Sequence, residues 1–211
     1  MTRMSLRSWL TVSAISLAAL ALGGCDSNPL EESSKWPPER LYTEAKEEAS
    51  AGAYEKAIKL YERLEGRAAG TVLAQQAQLE RAYLLWKTAE SAQALATIER
   101  FLKLHPTSPA YDYALYLQGL INFNDNLGFL GSLAAQDLSE RDQQASRDAY
   151  QSFRQLTERF PQSSYAEEAR LRMIYIINSL AAYEVHVARY YFRRGAYIAA
   201  ANRAQAAVQE F

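Results

Sequence analysis

The chain has 211 residues, 49% of them hydrophobic, with 23 Lys and Arg against 24 Asp and Glu, two histidines and one cysteine. That balance leaves no basic stripe for nucleic acid, and a lone cysteine leaves no intrachain disulfide framework. Nine glycines, six prolines, abundant alanine and few β-branched runs favour helix over sheet, in a chain long enough to bury a sizeable core.

The N-terminus carries Arg3 and Arg7, then an uncharged run over 9–22. As a helix that run would reach about 21 Å, short of the roughly 30 Å hydrocarbon core, so it suits a signal peptide (1–24) better than a membrane span. Leu22-Gly23-Gly24-Cys25 resembles a bacterial lipoprotein box, in which small residues precede the acylated cysteine. The resemblance implies cleavage before Cys25, with N-palmitoyl and S-diacylglycerol groups on that residue and no other cofactor. An ordinary secretory signal followed by an unrelated thiol is the alternative. Several acyl chains give a stable anchor where one binds only marginally. Without Arg3 and Arg7 the 23 basic residues become 21 against 24 acidic ones, a net charge of about −3. Residues 25–35 then read as the lipidated N-terminus and a polar, flexible tether.

Order is expected from "WPPERLYTEAKEEASAGAYEKAIKLYERL", where Pro38 fits a first helical turn because its missing N–H costs nothing there. Gly52 breaks the pattern, and a second amphipathic segment runs to Leu64. The stretch "GAYEKAIKLYERL" (52–64) matches "GAYIAAANRAQAAVQEF" (195–211), with Ala57 and Ala200 at the same offset. Gly-x-Tyr-x-x-Ala at a turn between helices resembles the tetratricopeptide (TPR) repeat. Glycine supplies the turn, and small residues let the paired helices approach closely. Aligned on that alanine, a second unit carries Ala94, Ile98, Phe101 and Pro106, and a third Ala149, Phe153, Leu156 and Pro161. The small residue of the first helix falls at Ala45, Ala82, Gly119 and Ala188, the first three spaced 37 apart. The expected fold class is therefore all-α, a TPR-type α-solenoid forming a right-handed superhelix. Its repeats cover about 38–70, 71–108, 109–163 and 164–211 within a domain at 36–211. An irregular helical bundle is the alternative.

Repeat three holds an insertion, 125–142, too long for an ordinary helix–helix connection. It could contact a partner or pack on its own repeat. Repeat four has a long first helix: no Gly or Pro lies between Pro161 and Gly195, and Ser164-Tyr-Ala-Glu167 reads as a capping box, so one helix is expected over 165–194. The chain stops one residue before the proline that ends the preceding repeats. Since solenoid ends need a polar cap, the reading expects a C-terminally truncated sequence lacking a fifth repeat.

The lipobox, the tether and the segments "AQLERAYLLW", "FLKLHPTSPAYDYALYLQGLINF", "DLSERD" and "YEVHVARYYFRRGAYIAAANRAQ" together resemble the BamD/ComL family. These are the TPR lipoproteins of the outer-membrane β-barrel assembly (BAM) complex. The resemblance covers essentially the whole mature chain. It implies a non-enzymatic periplasmic scaffold that docks on the POTRA domains of BamA, meets other BAM lipoproteins, and helps to recruit and insert unfolded β-barrel proteins through their C-terminal signals. One departure stands in the loop after the first repeat. Many relatives carry Arg-Tyr-Pro there, whereas this chain reads "EGRAAGTVL" with Ala68 and Ala69 after Arg67. Any contact made through that tyrosine is not carried over.

TPR solenoids present their first helices on a concave face, and the repeat positions place Tyr42, Tyr83, Trp86, Tyr113, Tyr116 and Phe123 there. An alternating apolar peptide could bury its side chains in such a groove. The same rings could instead pack between repeats. A second surface gathers Arg189, Arg193, Arg194 and Arg203. By resemblance Arg203, with Asn202 and Arg193, faces BamA, where an arginine–carboxylate fork would form. The alternative is a solvated helix end favoured by the dipole.

Nothing supports catalysis. His105 and His186 stand far apart, and the chain contains no HExxH, paired cysteines or Gly-rich phosphate loop. A pilotin, or a competence or cell-wall adaptor, would share the anchor and the repeats. The expected location is the periplasmic face of the outer membrane, although Asp26 after the lipidated cysteine leaves inner-membrane retention as the competing outcome.

Overall fold

The computed structural model describes residues 33–123 and 143–211. The signal peptide, Cys25 with most of the tether, and the insertion 125–142 lie outside the described residues. The chain divides into a unit Met1–Pro37 and a unit Pro38–Phe211. Within the first, Ser33–Lys35 forms a single 3-10 turn.

The second unit contains, among the described residues, eight α-helices and no strand: α1 Pro38–Ser50, α2 Tyr54–Arg67, α3 Val72–Lys87, α4 Ser91–Leu104, α5 Tyr111–Phe123, α6 Gln143–Arg159, α7 Ala166–Arg193 and α8 Tyr197–Glu210. Each helix packs on the next, and the first helices of successive pairs also touch, α1 with α3 and α3 with α5. That is the packing expected of a TPR-like array.

The second helices show why the array forms. Helix α2 buries Ala57, Leu60, Tyr61 and Leu64; α4 buries Ala94, Thr97, Ile98 and Phe101; α6 buries Ala149, Ser152, Phe153 and Leu156. All three follow one i, i+3, i+4, i+7 stripe, so each presents a single apolar face inward. Helix α5 is sandwiched on several sides and buries Tyr111, Ala114, Leu115, Tyr116, Leu117, Gly119, Ile121 and Phe123.

The small residues mark the tightest approaches. Ala45, Ala82 and Ala57 are fully buried. At Gly119 a Cβ would lie 2.4 to 2.7 Å from three ring atoms of Phe153. Repeat three therefore carries glycine where the first two carry alanine, because the Phe153 ring occupies the space of the missing methyl.

Among the described residues, the turns within the first, second and last pairs each use a left-handed residue. Gly52 (φ 81°) and Gly195 (φ 75°) hold it in the first and last pairs, and Ala89 (φ 65°) holds it in the second. Only glycine takes this conformation freely, so Ala89 is strained. Ion pairs tie adjacent pairs together: the largely buried Glu65 of α2 meets Arg81 of α3 at 3.3 Å and also binds Arg100 of α4.

Helix α7 is unbroken as expected and about 42 Å long, but it does not start with a capping box. Tyr165 precedes the helix without a side-chain cap, and Glu167 pairs forward with Arg170 at 3.2 Å. Ser163 organises the entry instead. Its hydroxyl accepts from the Tyr165 amide (3.2 Å) and donates to Asp112 Oδ2 (2.7 Å) at the start of α5. A turn through Ser163 that also grips α5 leaves Ser164 no role at the N-terminus. Among the described residues no helix is long and apolar enough to cross a membrane.

Candidate functional site

The first helices carry an aromatic face assembled around one carboxylate. Tyr42 of α1 lies 6.0 Å from the Tyr61 ring and its hydroxyl accepts a hydrogen bond from Gln76 of α3. One turn further along α3, Glu80 lies close enough for its charge to raise the hydroxyl pKa of Tyr42, Tyr61 and Tyr113. Burial is the larger cause for all three. Tyr83 and Trp86 pack as a tilted pair at 5.9 Å. The Trp86 Nε1 is buried and meets no acceptor among the described residues.

Between α3 and α5 this face opens into a cleft of about 410 Å³, whose walls include Leu79, Glu80, Ala110, Tyr113 and Tyr165. Its rim is polar and internally satisfied. Ser108 Oγ donates to Gln75 Oε1 at 2.9 Å, Gln76 binds Tyr42, and Asp112 accepts from Ser163 and from the Tyr113 amide. Glu80 is the exception. Burial raises its carboxyl above the ordinary range, and Lys46 only partly offsets this from beyond ion-pair distance.

Four of the six aromatic residues expected on this face, Tyr42, Tyr83, Trp86 and Tyr113, keep part of their surface open. The other two are packing residues. Tyr116 is 8% exposed, stacked on Tyr165 (4.8 Å, 19°) and tilted against Phe153. Its hydroxyl is pushed up to about 12, first by burial and then by Glu168. Phe123 is 7% exposed and belongs to the same core cluster as Tyr116, edge-on to Tyr175 with Arg172 above its ring. Both are held between repeats because their neighbours from α6 and α7 arrive on the side that an isolated helix would leave open. Two residues of the cleft escaped the repeat count. Tyr165 precedes α7 and obeys no helical period, while Glu80 sits one residue past an inward position, its only signal being an acid inside "AQLERAYLLW".

The second surface lies at α7 and α8. Arg203 is held in place: its Nη1 reaches Glu184 Oε2 at 3.1 Å and Oε1 at 3.3 Å. The Glu184 side chain is 8% exposed and that of Arg203 46%. One guanidinium nitrogen thus neutralises a buried acid while the rest of the fork faces outward. Asn202 and Arg193 are exposed. Arg193 and Arg189 border an apolar cleft of about 680 Å³ with Val185, Phe192, Tyr197 and Val208. Arg194 lies over the Tyr190 ring at 5.5 Å. His105 packs on Phe101 and His186 is exposed. The described residues contain no group of three or more potential metal ligands.

Helix pairs packed in series, with first helices in mutual contact and a partly open aromatic face, define a TPR-like helical-repeat protein. The outer membrane lipoprotein family YfiO matches residues 34–211. A protein of Neisseria meningitidis serogroup B named outer membrane protein assembly factor BamD is 49% identical over 197 residues, covering 93% of this chain and 74% of its own length. Proteins of the same name from Vibrio cholerae and Haemophilus influenzae are 38% and 30% identical, covering 90% and 98% of this chain and 78% of their own lengths. The chain belongs to the YfiO (BamD) family.

Proposed function

We propose that this chain is a non-enzymatic outer membrane protein assembly factor. It acts as a periplasmic scaffold of the BAM complex, held at the outer membrane by lipid on Cys25, docking on BamA POTRA domains, and helping to recruit and insert unfolded β-barrel proteins. Membership of a family whose relatives bear the assembly-factor name supports the class of role. The partly open aromatic face of α1, α3 and α5 is the observation that carries the client-binding part. Tyr42, Tyr83, Trp86 and Tyr113 offer partly open apolar area, with tyrosine hydroxyls as polar handles, which suits an extended segment of alternating apolar residues.

The α7–α8 surface supports the docking part. Phe192 and Tyr197, each 64% exposed, stand beside Arg189, Arg193 and the outward side of Arg203. Aromatic and arginine side chains of this kind anchor protein interfaces. Because Arg203 neutralises Glu184, removing its charge alone would confuse docking with loss of the internal pair. The clean comparison is Arg203→Gln in a Glu184→Gln background, where no buried charge is left unpaired. Membranes carrying the Glu184→Gln protein should yield an Omp85-type barrel on copurification, and those carrying the double variant about tenfold less. Equal recovery from the two would reject Arg203 as a docking residue. Recovery of no barrel with the unaltered chain would reject the assembly role itself.

A further inference from the structure

Glu80 is the one cleft residue whose chemistry the fold leaves unanswered. The other acid and amides of the cleft are engaged: Asp112 by Ser163 and the Tyr113 amide, Gln75 by Ser108, Gln76 by Tyr42. Glu80 has no hydrogen bond and no ion pair within 4 Å among the described residues, and Lys46 influences it only from a distance. Glu80 lines the cleft beside Leu79, Tyr113 and Tyr165, and its charge raises the hydroxyl pKa of Tyr42, Tyr61 and Tyr113. A carboxylate partly withdrawn from water without a partner costs folding free energy. An acid perturbed by burial in a cleft marks a candidate functional site, and a cationic ligand would supply the missing counter-charge.

We infer that Glu80 makes the cleft selective for cationic clients: the preferred occupant is an extended polypeptide segment carrying Lys or Arg beside an aromatic residue on the same strand face. The inference rests on the client-binding reading above and adds a charge rule to it. Glu80 and Tyr113 both line the cleft, and the spacing assigned to the client is that of neighbouring side chains on one strand face, residues i and i+2, about 7 Å apart. The aromatic ring lies against Tyr113 and Leu79, and the ammonium or guanidinium group reaches the Glu80 carboxylate over the surrounding rings. Tyr113, which lines the cleft with Glu80, adds an aromatic ring that a cation can meet. An acidic residue at that position would face Glu80 directly and be rejected.

The test uses the full chain and three fluorescein-labelled ten-residue peptides of alternating apolar residues. They share one Phe and differ only in carrying Lys, Gln or Glu two positions from it. Fluorescence anisotropy at low salt should show the Lys peptide binding about tenfold tighter than the Glu peptide, with Gln between. Glu80→Gln should abolish that ranking while keeping the common affinity, and Glu80→Lys should invert it. Raised salt should compress the ranking in the unaltered chain. Circular dichroism establishes that both variants fold. A ranking preserved in Glu80→Gln overturns the charge rule. Three equal affinities in the unaltered chain, all lost in Tyr83→Ala/Trp86→Ala, also overturn it and leave the client-binding reading intact. Failure of every peptide to bind, or binding that survives the double aromatic variant, overturns both.

Discussion

The inner repeats and the α7–α8 pair solve the problem of an apolar face differently. In the inner repeats each face is closed by the next helix. Phe153 fills the notch at Gly119, Tyr116 stacks on Tyr165, and α5 is buried on several sides. At α7 and α8 the corresponding face is open: Val185, Phe192, Tyr197 and Val208 line a cleft, and of α8 only Ala200 is buried. The inner repeats therefore hold their stability in shape, whereas the α7–α8 face holds unspent apolar area and a charge pair. Mutations should separate the two, with large effects on folding inside and small ones at the open face.

The largest effect is expected at the Gly119 notch. Alanine there gains helix propensity worth about 1 kcal/mol, but its methyl would stand 2.4 Å from the Phe153 ring. Overpacking costs about 1–3 kcal/mol, occasionally more, and a clash this deep between two buried helices belongs at the upper end. Urea unfolding should show Gly119→Ala less stable by about 2 kcal/mol net. Phe153→Leu should recover part of that loss when added to it. A stability gain in Gly119→Ala would mean that α5 and α6 slide apart easily, and the inner repeats would then not be shape-locked.

A smaller effect of opposite sign is expected at the turn of the second pair. Ala89 adopts φ 65° where the first and last pairs have Gly52 and Gly195, and a left-handed alanine costs about 1 kcal/mol. Ala89→Gly should stabilise by roughly that amount and Gly195→Ala should destabilise by as much, both read from urea midpoints at unchanged m-value. No heavy atom lies within 4 Å of a Cβ built at Gly195, so the expected loss there is backbone strain alone. Stabilisation failing to appear at Ala89 would show that the turn is fixed by its flanking helices rather than by its own conformational preference.

How much of this was legible in the sequence follows the same division. The stripes of α2, α4 and α6 were readable because four buried residues recur at one helical spacing, and the small residues because a close approach admits little else. Gly119 could be read as small, but the ring that requires it could not, since Phe153 lies 34 positions away on another helix. The failed capping box at Ser164 has a similar cause: the neighbouring Ser163 was drawn into a tertiary bond with Asp112. Of the candidate sites, the aromatic residues were found by register, but register cannot say which side a neighbour will cover. Register therefore groups Tyr116 and Phe123 with Tyr83 and Trp86, although the fold buries them. The isolation of Glu80 and the pairing of Arg203 with Glu184 across a turn are properties of the assembled helices, and no periodic pattern carries them.

The smallest effect is expected at the open face, and it sharpens the comparison most. Val208 is 84% exposed on α8, so the isolated chain gains almost nothing from its side chain. Val208→Ser should change stability by less than about 0.5 kcal/mol in urea unfolding, in line with exposed positions generally. The removed methyl groups matter only when something covers them, at about 25 cal/mol per Å² of apolar area. Under the docking proposal, where the barrel covers this face, the same substitution should reduce recovery of an Omp85-type barrel from membranes while leaving the unfolding midpoint in place. A stability loss above about 1 kcal/mol would show that the α7–α8 cleft is already covered in the free protein. The open face would then be another closed one, and the contrast between the inner repeats and the α7–α8 pair would disappear.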